Sequence, residues 1–321
     1  MSETVRVGFV GAGIIARRHL GDLAGFDDVR VVAVADVALE RARELAGSTG
    51  ANAYSDVAEM IEAERLDALY ICVPPFAHGK PEESAIAAGL PFFVEKPLSV
   101  DLPTAEQIAA AVEENRLVTA VGYHWRYLDI TERAQDLLSA NPARLVLGYW
   151  LDSTPPVAWW IREATGGGQF VEQTTHIFDL ARQLVGEVDC VQGFGSRQER
   201  AEFPDADILD ASVASLRFRS GAVGSVASTA LLAWPHRIGL HLFSDRLAIE
   251  LSEFELLVDV GKGRPIQLAE GDPFVREDRD FIDAVKGGQN RIRAPYAEAL
   301  RTQRLAIAAA RSLREGGAIE P

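Results

Sequence analysis

Apolar and polar positions follow two rhythms along this chain. Up to about residue 121, short apolar runs at 5–10, 29–35, 51–54, 67–73, 91–94 and 118–121 alternate with segments of helical period at 39–45, 56–63, 77–88 and 103–114. A further helix follows the first run at once, with Ile14, Ile15, His19, Leu20 and Leu23 at helical spacing. Strands alternating with helices predict right-handed βαβ units and one parallel sheet. Its expected strand order is 3-2-1-4-5-6, with a ligand crevice beyond the carboxyl ends of the strands.

The rhythm changes near Gly122. A helix is expected at 130–139, a strand at 144–151, a turn-rich aromatic loop at 155–162 and a helix at 169–184 after three glycines. Alternating runs at 188–197, 211–218, 222–231, 238–243, 247–250 and 256–260 then predict a sheet. Short turns such as Ser220-Gly221 make much of it antiparallel. The two helices are expected to cover one face. The other face carries few charges and is expected to pair with a second subunit, giving a homodimer or homotetramer.

Composition narrows the class. At 321 residues there is room for two cores. A chain 48% apolar and 25% charged suits a soluble globular protein. No apolar run reaches the length of a membrane span, and no secretory h-region is seen. The net charge of −15 argues against a nucleic-acid partner and against an anionic membrane surface. Cys72 and Cys190 lie far apart and read as small core residues, so a reducing cytoplasm is the expected setting.

The first run ends in Gly11-Ala12-Gly13-Ile14-Ile15-Ala16. Gly11 permits a tight turn, Gly13 lets a phosphate approach the backbone, and Ala16 keeps the helix close to the sheet. The free N–H groups and positive dipole end of that helix then face the anion. The second run ends in Asp36, roughly 20 residues on, where a carboxylate meets the adenosine ribose hydroxyls. Asp36 would repel a 2′-phosphate, and Val37 and Ala38 add no basic group. NAD is therefore favoured over NADP, with Arg41 and Arg43 as the opposing signal. The expected fold class is α/β. An N-terminal Rossmann dinucleotide-binding domain spans residues 1–121, and a C-terminal α+β domain with a large, mostly antiparallel sheet spans residues 122–321.

Other strand ends carry Val73-Pro74 with His78, and Glu95-Lys96-Pro97. Read alone, Pro74 is a strand terminator and His78 a polar residue at a helix start. Lys96 lies just past a buried strand, where the nicotinamide is expected. Taken together, Gly11-x-Gly13-x-Ile15-Ala16-x-x-His19, Val73-Pro74-Pro75-x-x-His78 and Glu95-Lys96-Pro97 resemble the Gfo/Idh/MocA family of oxidoreductases. The resemblance implies that Lys96 touches cofactor and substrate and takes part in catalysis. Gly11, Gly13, Ile14, Ile15, Asp36, Val73, Pro74, His78 and Glu95 are the expected cofactor contacts. The resemblance also makes Lys96–Pro97 a candidate cis peptide. It covers nearly the whole chain, and implies that helices at 276–286 and 296–312 pack against the first domain.

Gly122-Tyr123-His124-Trp125-Arg126-Tyr127 resembles the family's segment leading out of the nucleotide domain, with His124 where asparagine is usual. That segment borders the family's active site. Tyr123, His124, Trp125 and Arg126, with Trp159, Trp160 and Arg162, are candidate substrate contacts. The tryptophans would stack on apolar sugar faces, and His124, Arg126 and Arg162 would bind hydroxyls. Packing in the core or at an interface is the competing reading. Glu172 and His176 are four apart, hence expected on one helix face, where a carboxylate can fix an imidazole's tautomer and raise its basicity. The family pattern is Gly-Gly-Gly-x-x-x-Asp-x-x-x-His, and Glu172 replaces its aspartate with one more methylene. No other ligand cluster accompanies the pair, so no metal is expected.

The expected activity is hydride transfer between NAD and a secondary alcohol carbon of a sugar, cyclic polyol or derivative. Hydride leaves carbon only as the hydroxyl loses its proton, so the site needs a base and a cation. His176, oriented by Glu172, is the expected base, and Lys96 polarises the oxygen. Two alternatives stay open: a dinucleotide-binding regulator without catalysis, and a glycoside-cleaving enzyme with tightly held NAD.

Overall fold

The computed structural model describes residues 4–321. The chain forms two compact units, one of residues 4–99, 103–124 and 272–300, the other of residues 100–102, 125–271 and 301–321. The first begins β1 (Val5–Val10), α1 (Ile14–Leu23), β2 (Val29–Ala35), α2 (Leu39–Gly47), β3 (Asn52–Tyr54), α3 (Val57–Ala63), β4 (Ala68–Ile71), α4 (Lys80–Ala87), β5 (Phe92–Val94), α5 (Leu102–Asn115) and β6 (Thr119–Val121). The second carries α6 (Asp129–Ala140), β7 (Leu145–Ser153), α7 (Glu163–Gly166), α8 (Gln169–Glu172), α9 (Thr175–Val185), β8 (Val188–Ser196), β9 (Ala211–Phe218), β10 (Val223–Leu232), β11 (Arg237–Ser244), β12 (Leu247–Leu251), β13 (Glu255–Asp259) and β14 (Ile266–Leu268). The chain then returns to the first unit for α10 (Pro273–Val285). It crosses once more within α11 (Tyr296–Glu315), before β15 (Ala318–Ile319).

In the first unit the six strands run parallel in the order β3-β2-β1-β4-β5-β6, as the alternation predicts. Phe9, Tyr70 and Phe93 stack across neighbouring strands at 5.1 and 5.0 Å between ring centroids. Phe281 of α10 meets Tyr70 edge-on at 5.5 Å. That helix starts sharply because Asp272 accepts from the Phe274 N–H and Pro273 needs no donor. Its far half is tied to the start of β2: Arg279 and Lys286 both pair with Asp28.

The second unit is built on a nine-stranded sheet in the order β14-β13-β12-β11-β7-β10-β9-β8-β15. All neighbours are antiparallel except β7 and β10. The edge strands β14 and β15 are too short to show in the alternation. Helix α9 packs on β7 and β11, and α6 on β12 and β13. Gly148 of β7 permits this, since a Cβ there would lie 2.6 Å from Ile177 Cγ2. The helix expected over 169–184 is two pieces, α8 and α9. At the break the Thr174 N–H reaches back five residues to the Gln169 carbonyl. The Thr174 hydroxyl is held by Ser228 and the Gln169 amide donates to the Thr229 carbonyl, so anchoring to β10 overrides the helical period. Among the described residues no helix is long and apolar enough to cross a membrane.

Gly148→Val should cost about 1–3 kcal/mol in urea unfolding, because β-carbon substituents would push α9 off β7; an unchanged midpoint would rule out that close approach. Hydrogen bonds from Arg279 and Lys286 lower the Asp28 pKa from 3.8 to about 2. The stability this adds is present above pH 3.8 and disappears as the pH falls through 2. Asp28→Asn should therefore flatten the acid limb of a stability–pH curve in that window and leave its shape near neutrality unchanged.

Candidate active site

The glycine turn after β1 is built by close backbone approach. Gly11 has φ +90°, and a Cβ on it would sit 2.4 Å from the Cys72 carbonyl oxygen at the end of β4. Gly13 is the opposite case: nothing lies within 4 Å of its Cβ position. It also precedes α1 without a side-chain cap, and Ile14 is 86% exposed. Open backbone therefore leads into an uncapped ten-residue helix. Asp36 at the end of β2 accepts from the Ala12 N–H at 2.9 Å and the Ala38 N–H at 2.8 Å. Its carboxylate is thus fixed beside the turn, and each oxygen keeps a lone pair for a ribose hydroxyl. Val37 beside it is almost wholly exposed. This cradle fits a dinucleotide, whose phosphates would meet open N–H groups and whose ribose would meet a held carboxylate.

Val73 and Pro74 are half-buried beyond β4. His78 is buried, its Nδ1 donating to Glu82 at 2.6 Å, while the other Glu82 oxygen accepts from the Gly79 N–H. Its Nε2 is buried with no hydrogen-bond partner among the described residues. Beyond β5, Glu95 is buried and Lys96 half-buried, with a cis peptide bond from Lys96 to Pro97. One Glu95 oxygen accepts from His19 Nε2 at 3.0 Å, the other from the Lys96 N–H at 3.2 Å. Gly122 leaves room for that carboxylate, since a Cβ there would overlap it at 2.4 Å.

In the second unit His176 sits in the first turn of α9, buried, with its ring stacked on Trp150 at 5.7 Å. Glu172 ends α8 and accepts from Trp160 Nε1 at 2.6 Å. The expected arrangement on one helix face is corrected by the break at 173–174, which puts Glu172 and His176 in separate segments.

The expected substrate contacts divide. Tyr123 and Trp125 are buried in the packing of their units, and His124 stacks on Phe274 at 4.1 Å. Arg126 is also buried, and forks onto Asp179 of α9 at 2.6 and 2.7 Å. Thr302 of α11 donates to the same carboxylate at 2.7 Å. Trp160 is buried and spends its N–H on Glu172. Tyr123, Trp125, Arg126 and Trp160 are thus packed against protein groups, the rings through apolar burial and the guanidinium through its two hydrogen bonds to Asp179, which offset the cost of its desolvation. Trp159 is half-buried, and Arg162 is exposed and pairs with Asp205 at 3.5 Å.

Trp150 and Asp179 go unread in the sequence. Trp150 is in step with the buried Val146 and Gly148 of β7, and Asp179 interrupts the apolar face of α9 three residues after His176. Both signals are periodic and carry no motif.

A glycine turn with open backbone, an acid fixed beside it, and a lysine past the end of β5 are the features of an NAD-binding Rossmann oxidoreductase. Residues 5–123 match the oxidoreductase family with an NAD-binding Rossmann fold, and residues 143–250 match the GFO/IDH/MocA C-terminal domain. The chain belongs to the Gfo/Idh/MocA oxidoreductase family. It is 29% identical to an inositol 2-dehydrogenase of Rhizobium meliloti strain 1021, over 97% of this chain and 98% of that one. It is also 29% identical to a myo-inositol 2-dehydrogenase of Thermotoga maritima, covering 75% and 73%. Its fold matches a levoglucosan dehydrogenase in complex with NADH, with a TM-score of 0.88, 21% identity and 99% of both chains covered.

Asp36→Ala should weaken NADH binding about tenfold in a fluorescence titration, the size of one lost charge-assisted hydrogen bond. The loss for NADPH should be smaller. Equal weakening of both would remove Asp36 from cofactor choice.

Proposed function

We propose that the chain is an NAD-dependent dehydrogenase acting on a secondary hydroxyl of a sugar, cyclic polyol or related derivative, and that Lys96 and His176 are its catalytic residues. The observation that carries this reading is that Lys96 stands directly after Glu95, at the strand end two positions from the cradle in the sheet. Relatives named inositol 2-dehydrogenase and levoglucosan dehydrogenase support the substrate class.

Gly11, Gly13, Asp36 and the start of α1 would hold NAD, which would supply the hydride acceptor. Lys96 Nζ steadies the negative charge that grows on the oxygen. The His176 imidazole takes the hydroxyl proton, its ring kept in place by Trp150. Glu172 is held by Trp160 at the end of α8, just ahead of the helix that carries His176. We further assign the uncovered sheet face, with Val213 and Val223 exposed, to pairing with a second copy as a homodimer or homotetramer. The cytoplasm is the proposed setting.

NADH appearance at 340 nm over a panel of inositols, aldoses and anhydrosugars should rise with one class and prefer NAD. Lys96→Ala should lower that turnover at least ~10²-fold with NADH binding retained. Turnover near that of the parent in this variant would take the lysine out of the mechanism.

A further inference from the structure

His19 lies wholly buried in the first unit, and both its ring nitrogens face carboxylates. Nδ1 is 2.9 Å from Asp278 of α10, and Nε2 is 3.0 Å from Glu95. With both carboxyls ionised, both nitrogens donate and the ring is an imidazolium. Glu95 passes the constraint on, because its second oxygen holds the Lys96 N–H. A connected line thus runs from α10 through α1 to the residue the reaction uses: Asp278, His19, Glu95, Lys96.

Glu277, next to Asp278, is wholly buried, and neither of its carboxyl oxygens has a hydrogen-bond partner among the described residues. His19, Glu95 and Glu277 each place a donor atom within 4.8 Å of the others. That is a spacing a cation would use, but both ring nitrogens already serve carboxylates, so His19 offers no lone pair. An ionised, unpartnered carboxylate there would leave the cluster heavily negative away from water, so a proton on Glu277 is the cheaper neutraliser.

We infer that His19, Asp278 and a protonated Glu277 form a positioning network that sets Glu95, and through it Lys96, for catalysis. This rests on Lys96 acting at the substrate oxygen. The charges support the inference. Burial opposes charge on His19, yet Asp278 and Glu95 outweigh it and hold the imidazolium well above its usual pKa. Burial pushes Glu277 well above the usual carboxylate range despite the nearby His19. The remaining titratable groups facing the cluster are Tyr70 and Cys72 from β4, both raised by burial, and Asp22 from α1.

The test compares His19→Ala, His19→Gln, Asp278→Asn and Glu277→Gln with Lys96→Ala in the full chain. His19→Ala should lower kcat at least ~10-fold, the scale of a misplaced reacting group, with KM for NAD within about twofold of the parent. His19→Gln, which keeps an N–H toward Glu95, should recover part of that loss. Asp278→Asn removes a charge that favours the imidazolium, so the alkaline limb of the kcat profile should move to lower pH. Glu277→Gln should lose an infrared band of a buried protonated carboxyl; no such band in the parent would overturn the protonated state even if His19→Ala fails to fold. If Lys96→Ala is inactive while folded His19→Gln and Asp278→Asn keep the parent kcat and pH profile, the network has no positioning role. If Lys96→Ala itself stays active, the reading of Lys96 fails first.

Discussion

The first unit depends on one imidazole ring held between two carboxylates out of reach of water. His19 joins the helix after the glycine turn, the end of β5 and α10 at a single point. A buried ion pair is weak evidence of net stability, because desolvation offsets much of the attraction. What such a group does supply is intolerance of misplacement: any shift leaves a charge without its partner. The aromatic stack of Phe9, Tyr70 and Phe93 surrounds it with apolar surface and sharpens that intolerance.

The second unit uses the same physics with different groups. Arg126 forks onto Asp179, Thr302 completes the carboxylate, and Arg182 donates to Thr302 at 2.7 Å. This buried chain fixes α9 below His176. Glu172 is held from the other side by an indole N–H, across the break between α8 and α9. The residues nearest the proposed chemistry are therefore anchored by contacts made one turn away.

Much of the first unit was legible because its signals are local. Strand order follows from alternating strands and helices, and the cradle from two glycines and an acid at fixed spacing. Lys96 was singled out by the resemblance of Glu95-Lys96-Pro97 to a family motif, since its place after a strand alone reads as an ordinary solvated lysine. Which of the expected substrate contacts are buried was not legible, since composition does not say which face of a segment is buried. Trp125 and Trp160 look the same in sequence as Trp159, and only packing separates them. The unbroken helix at 169–184 failed for a related reason: Thr174 and Gln169 spend their polar groups on β10, a partner more than fifty residues away in sequence. Acids on an apolar helix face, such as Glu277 and Asp278 between Phe274 and Phe281, were the readable trace of the buried cluster.

The return of the chain for α10 has a consequence for the order of events during synthesis. Residues 4–124 contain every strand of the parallel sheet, yet the face built by Tyr70 and Phe93, and the ring of His19, wait for a helix that begins at Pro273. While the intervening segment leaves the ribosome, a nascent nucleotide domain would expose aromatic surface and a histidine lacking one counter-ion. The N-terminal segment up to residue 124 is thus the first part made and among the last completed, and the interval is one in which a chaperone has something to hold.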